Sequence, residues 1–113
     1  MKWKTSGCLA LLLSLSWAFT VQADDVAPAE LRNLVRQDCG SCHGMTLKGG
    51  LGPSLRPERM QRYTVAAIGA IIRQGVPDTA MPPWGPLLND DEIRWISEQL
   101  HSGAILEPAA AAE

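Results

Sequence analysis

The residues of this 113-residue chain that can do chemistry crowd into "QDCGSCHGM", Gln37 to Met45, where two cysteines stand three positions apart and a histidine follows the second. A Cys-x-x-Cys pair can be a disulfide, a thiol redox centre or half of a zinc site. With histidine next, it is the attachment signal for a c-type haem. The spacing has a geometric reason: two thioethers fix one edge of the porphyrin, and the following residue is then held beneath the iron as an imidazole ligand. Cys39 and Cys42 are therefore assigned to covalent attachment and His43 to the proximal axial position. A plain disulfide or a thioredoxin-type centre also suits an oxidising compartment, but the thioredoxin centre comes with a strand and helix arrangement that is not legible here. Zinc would need two further ligands, and only His101 could begin to provide them.

The second axial ligand separates an electron carrier from a haem that binds small molecules. Met45, Met60, Met81 and His101 are the candidates. Met45 is too close to His43 to loop round to the opposite haem face, and Met60 lies in a basic segment just before a predicted helix. Met81 sits in "TAMPPW", a proline-stiffened loop far enough along the chain to reach the other side, and it is the expected ligand; the alternative is a buried methionine filling a gap. His101 ends the last predicted helix, where an imidazolium complements the C-terminal dipole, so a capping role is expected there. Iron held by His and Met has no open position, and methionine favours the reduced state. The expected function is electron transfer, with no catalytic residues and no enzyme activity.

Three helical segments and no strand follow from the apolar spacing, so the expected fold class is all-α. Pro28 opens the first, which carries Leu31, Leu34 and Val35 on one face and runs into the cysteine motif. Thr64 caps the second, with Val65, Ile68, Ile71 and Ile72 at helical spacing and a stop at Gly75. Asn89 or Asp90 caps the third, Asp91 and Glu92 complement its positive end, and Ile93, Ile96 and Leu100 form its stripe. The loops between them, "LKGGLGPSLRP" and "GVPDTAMPPWGP", read as irregular throughout. Gly49, Gly50 and Gly52 let the backbone pass close to a porphyrin. Trp84 and Trp95 are expected in the core, Trp84 also within reach of a haem propionate through its indole N–H.

The first 23 residues read as a cleavable secretory signal: Lys2 and Lys4, an apolar run from Cys8 to Phe19, and small residues at Val21 and Ala23, with cleavage after Ala23. The run is shorter than the roughly 20 residues that span a bilayer, so no stable membrane insertion is expected after cleavage, and the location is the periplasm. Cys8 leaves with the signal. Residues 24–106 form one small domain and "EPAAAAE", 107–113, a disordered tail. A domain of this size buries little apolar surface and needs a staple, which a haem supplies. A net charge of −2 conceals an asymmetry. Lys48, Arg56, Arg59, Arg62 and Arg73 face only Glu58 in the middle third, whereas the acidic residues from Asp78 to Glu113 face only Arg94. Without a net basic excess or aromatic-basic alternation, nucleic acid is not an expected partner. No single arginine is assigned to a propionate, because most surface charges are simply solvated.

"CGSCHG", "GLGPSL", "MPPW" and "LNDDEIRWISEQL", in that order, resemble a monohaem class I cytochrome c over essentially all of the mature chain. More narrowly, "DCGSCHGMTLKGGLGPSL" with "AMPPWGPLL" is similar to the small periplasmic cytochromes encoded alongside the haem c and haem d containing nitrite reductase of denitrifying bacteria. The class resemblance implies three main helices and long loops around one covalently attached haem, with the first and last helices crossing near their ends. It also implies that the carbonyl of Pro53 accepts a hydrogen bond from the proximal imidazole of His43, fixing the ring and strengthening it as a ligand. In the class, electrons leave through an exposed haem edge, which Lys48 and Arg56 are expected to rim. The narrower resemblance implies nitrite reductase as the redox partner of a monomeric carrier in denitrification. Its alternatives are an accessory role in maturing that enzyme's d-type haem and, if Met81 is not a stable ligand, a ligand-binding haem sensor.

Overall fold

Pro28 sits in the first turn of α1 (Pro28–Leu34), where a missing N–H leaves no intrahelical bond unmade, and the helix buries Leu31. The structure, a computed structural model, describes residues 27–108. The signal-peptide reading of 1–23 lies outside the described residues, as does the expected tail beyond Pro108. The helical path does not end with α1. A π-helical turn, Val35–Cys39, leads straight into α2 (Gly40–His43), so the first predicted helix and the cysteine motif form one continuous element. Apolar spacing could not show the π turn, a one-residue expansion of the kind that recurs at functional sites.

One expectation needs correcting. The loop read as irregular up to Pro57 ends in a short helix, α3 (Pro57–Met60), with Pro57 in its first turn and Met60 buried. Proline breaks helix interiors but is preorganised for a helix start, so the residue read as a breaker is here an initiator.

The two longer helices form as their caps predict. In α4 (Val65–Gln74) the Thr64 hydroxyl accepts from the Ala67 N–H at 3.1 Å, and Gly75 ends the helix with φ 66°. In α5 (Asp90–Ser102) Asn89 Oδ1 accepts from the Glu92 N–H at 2.9 Å while Glu92 Oε2 accepts from the Asn89 N–H at 2.8 Å. That reciprocal capping box sets the helix start. The two helices pack closely through Gly69, where an added Cβ would fall 3.3 Å from Ser97 Oγ. Ile93, Ile96 and Leu100 of α5 join Leu31, Val35 and Ile68 in one core.

α1 is fastened to the far end of α5. Arg32 Nη1 donates to the carbonyls of Ala104 (3.0 Å), Ile105 (3.1 Å) and Glu107 (3.2 Å), and its Nη2 to Gln99 Oε1 at 3.4 Å. The first and last helices thus meet near their ends. No strand occurs among the described residues, and no described helix is long and apolar enough to cross a membrane. The fold class is the all-α one expected.

Candidate haem-binding site

α2 stops at Gly44, whose φ of 87° reverses the chain, and the following loop folds back on the helix end. The Gly52 N–H donates to Cys42 O at 2.9 Å, the Gly49 N–H to His43 O at 2.8 Å, and the Gly50 N–H to Gly52 O at 2.9 Å. This return path brings Pro53 O within 2.7 Å of His43 Nδ1. A carbonyl can only accept, so Nδ1 carries the ring proton and Nε2 is left with a lone pair. Among the described residues no buried side-chain nitrogen or oxygen lacks a partner. Nε2, which has none, therefore opens to the cavity that His43 lines.

That cavity has a volume of about 460 Å³. The π turn and α2 supply Cys39 and Cys42 to its wall, α4 supplies Ile68 and Ile72, the next loop supplies Met81 and Trp84, and α5 supplies Leu100. No disulfide joins the two cysteines, and both are half-buried. Ile71 and Val76 also line it and are left 41% and 40% exposed. A flat apolar group seated there would cover them, at roughly 25 cal/mol for each Å² removed from water.

The chemistry of the donor set selects haem from the four uses of the motif. Burial, helped by the neighbouring Asp38 carboxylate, pushes the Cys39 thiol up to about 11. A thioredoxin-type centre needs the opposite, a thiol lowered toward neutrality. No cluster of three potential metal-binding His, Cys, Asp or Glu side chains occurs among the described residues, which leaves zinc without a ligand set. Two unbridged cysteines, an imidazole whose Nε2 opens to the cavity and an apolar slot fit a covalently attached porphyrin.

Met81 is half-buried on the cavity wall. Its carbonyl accepts from the Val76 N–H at 3.2 Å, and its N–H donates to Thr79 Oγ1 at 3.3 Å. Met60 reaches the same cavity from α3 but is only 6% exposed and belongs to the core. Met45, 60% exposed, and His101 are not on the wall. Trp84 lines the cavity, and its indole N–H has no hydrogen-bond partner among the described residues. Trp95 is partly buried against the core, away from the cavity.

The arginines sort differently from their order in the chain. Arg73 pairs with Asp90 at 2.7 Å. Arg56 donates through Nε to Thr46 O at 3.1 Å and borders a separate depression with Arg36 and Met45. Lys48 is exposed and lines neither. Arg59 is the arginine on the cavity wall, together with Tyr63 and Leu51. Arg59 was one of four arginines that the sequence left open as propionate or partner contacts, whereas Tyr63 and Leu51 went unread. The spacing of Arg59, Met60 and Tyr63 was the available signal, hidden because α3 starts at a proline.

A helical fold closed around one apolar cavity, with a single Cys-x-x-Cys-His motif on its wall, defines a monohaem c-type cytochrome. A family model described as "Cytochrome C oxidase, cbb3-type, subunit III" matches residues 26–98. Cytochrome c55X of Pseudomonas aeruginosa is 42% identical over 101 residues, covering 86% of this chain and 85% of that protein. The solved structure of the c-type cytochrome NirC superposes with a TM-score of 0.66 at 47% identity, covering 68% of this chain and 91% of the other. A third relative, the dihydro-heme d1 dehydrogenase of Pseudomonas aeruginosa, is 34% identical over 105 residues, which are 93% of this chain but 21% of that protein. The chain belongs to the cytochrome c55X family of c-type cytochromes. Its cofactor is covalently bound haem c, and it is an electron carrier.

Proposed function

We propose that the mature protein, residues 24–106 with a short tail, is a periplasmic carrier in which Cys39 and Cys42 attach the haem and His43 and Met81 are its axial ligands. The observation that carries this reading is the convergence on one cavity of two unbridged cysteines, an imidazole whose Nδ1 faces Pro53 O at 2.7 Å, and half-buried Met81. When bound, haem supplies a one-electron couple. The Pro53 carbonyl anchors the imidazole and strengthens it as a donor. Ile68, Ile72 and Leu100 keep water from the site, and the Met81 thioether biases the iron toward the reduced state. Arg59 and Trp84, both on the cavity wall, are the proposed partners of the propionates. With His43 and Met81 both holding the iron, the site would carry electrons and leave no place for a substrate. By the resemblance of its motifs, its proposed partner is the nitrite reductase of denitrification.

Optical spectra of the ferric and ferrous protein, with and without carbon monoxide, test the ligand set. The expected result is a weak far-red sulfur-to-iron band in the ferric form and poor carbon monoxide binding in the ferrous form. Rapid, complete carbon monoxide binding would remove Met81 from the ligand set and favour the haem sensor.

The third relative favours a second reading. A domain like this chain is built into a protein named for dehydrogenating dihydro-heme d1. Removing two hydrogens from a substrate releases two electrons and two protons, and a monohaem carrier takes the electrons one at a time. In that case this protein is an electron acceptor in maturation of a d-type haem. Mixing it ferric with the reduced dehydrogenase, and ferrous with nitrite reductase, shows which transfer is faster.

A further inference from the structure

We propose that Gly52 is a positioning residue for His43: its bare backbone lies on one face of the imidazole and, together with the Pro53 carbonyl, fixes the rotation of the ring. The inference rests on His43 as the proximal ligand. A Cβ built on Gly52 would fall 2.6 Å from His43 Cε1, 2.7 Å from Nδ1 and 3.2 Å from Nε2. Those three distances together put the added carbon above the ring, over its Nδ1–Cε1 side. An approach within the ring plane at that edge would leave Nε2 much farther away.

The backbone conformation does not require glycine here. Positive φ among the described glycines is confined to Gly44, Gly49, Gly75 and Gly103, so the φ of Gly52 is not one that calls for glycine. The contact with the ring is what excludes a side chain. Nor can the backbone easily retreat: the Gly52 N–H is held by Cys42 O at 2.9 Å, and its carbonyl accepts from the Gly50 N–H at 2.9 Å. A methyl group at this position must therefore turn or tilt the imidazole, and the Nδ1–H bond to Pro53 O is the contact that yields. The ring would then meet the iron at a different angle, and that angle decides how unpaired ferric spin is shared among the four pyrroles.

The test is proton NMR of the holoprotein in three forms: wild type, Gly52→Ala and Gly50→Ala. A Cβ on Gly50 would crowd the same loop, 2.8 Å from Cys42 O, but its nearest contacts include no ring atom. Gly52→Ala should redistribute the four haem-methyl shifts of the ferric protein and move its largest g-value, with the far-red sulfur band retained. Gly50→Ala, which strains the same loop without meeting the ring, should shift the methyl resonances clearly less than Gly52→Ala and keep their order. An unchanged methyl pattern in Gly52→Ala, or the same change in both variants, overturns the proposal. Should Gly52→Ala yield no holoprotein, the ferrous wild type decides: a strong Overhauser effect between the Gly52 Hα protons and His43 Hε1 is expected, and its absence refutes the contact. Failure of the proximal assignment itself is distinguishable, since His43→Ala would then retain the wild-type low-spin spectrum.

Discussion

A Cβ placed on Gly75 would fall 2.7 Å from the carbonyl oxygen of Met81 and 2.6 Å from the carbonyl carbon of Pro82. The residue that ends α4 is thus also the surface on which the Met81 loop rests. Its φ of 66° and ψ of −169° lie in a region essentially reserved for glycine, where a side chain costs about 1–3 kcal/mol before any clash. Gly75→Ala should lower the unfolding free energy by at least that amount and push the loop outward. The measurable signs are a weaker far-red band and faster carbon monoxide binding to the ferrous protein. A variant that loses stability while keeping the wild-type band and carbon monoxide rate would show that the loop does not depend on this contact.

If Cys39 and Cys42 both form thioethers and Cys8 leaves with the proposed signal, no thiol remains in the mature protein. Denatured wild-type protein made with an intact cytochrome maturation system should keep the haem mass through acid and organic extraction. It should also fail to react with a thiol reagent. Cys39→Ala combined with Cys42→Ala should lose the haem on extraction. Recovery of polypeptide mass alone from wild type, with two reactive thiols, would return the pair to the disulfide or redox readings.

How much of this was legible in the sequence differs from element to element. The caps of α4 and α5 were readable because Thr64 and Asn89 act within three residues of themselves. Cys39, Cys42 and His43 could be singled out because their spacing is a local signal, and the structure brings all three to one cavity wall. By contrast, the π turn at Val35–Cys39 adds a residue to a helix without changing residue type, and α3 begins at a proline that signals a loop as readily as a helix start. The roles of Arg56 and Arg59, three positions apart, were not separable either. Only the path of the loop from Gly44 to Pro57 places one beside Thr46 and the other on the cavity wall. Nor does sequence reveal that Gly52 lies over an imidazole, since that contact is made by an absent side chain.

Met60 and Met81 share the cavity, so substitution must separate them. Met81→Ala should abolish the far-red band and open the ferrous iron to carbon monoxide, with a modest effect on stability because Met81 is half-buried in a loop. Met60 is 6% exposed in the core, so Met60→Ala should cost about 2–5 kcal/mol and leave both spectral properties in place. Denaturant unfolding together with the ferric spectrum reads both quantities on each variant. The opposite pattern, a lost band in Met60→Ala and an intact one in Met81→Ala, would transfer the axial role to α3.

The basic residues expected to rim the haem edge were Lys48 and Arg56, and the geometry redirects that expectation. Arg56 is engaged with Thr46 O beside a separate depression, whereas Arg59 stands on the cavity wall next to Leu51, which is 90% exposed. Arg73 is engaged with Asp90 and Arg94 with Asp91, each at 2.7 Å, which locally neutralises the start of α5. An acidic partner surface approaching the cavity mouth would therefore meet Arg59 before Arg56. Opposite charge steers such an encounter and raises its rate without tight binding. Lys48→Glu combined with Arg59→Glu should slow second-order electron transfer to nitrite reductase several-fold at low salt, and Arg56→Glu should slow it much less. Glu98→Lys, on the exposed side of α5 and off the cavity wall, should leave it nearly unchanged. The difference should shrink as salt approaches 0.1 M, where screening acts over about 10 Å. Because Arg59 is also proposed to meet a propionate, the reduction potential of each variant must be measured, and the rates compared at equal driving force. Stopped-flow mixing over a salt series gives the answer: equal slowing by Arg56→Glu and by the Lys48 and Arg59 double variant, or rates indifferent to salt, would remove the case for docking at the cavity mouth.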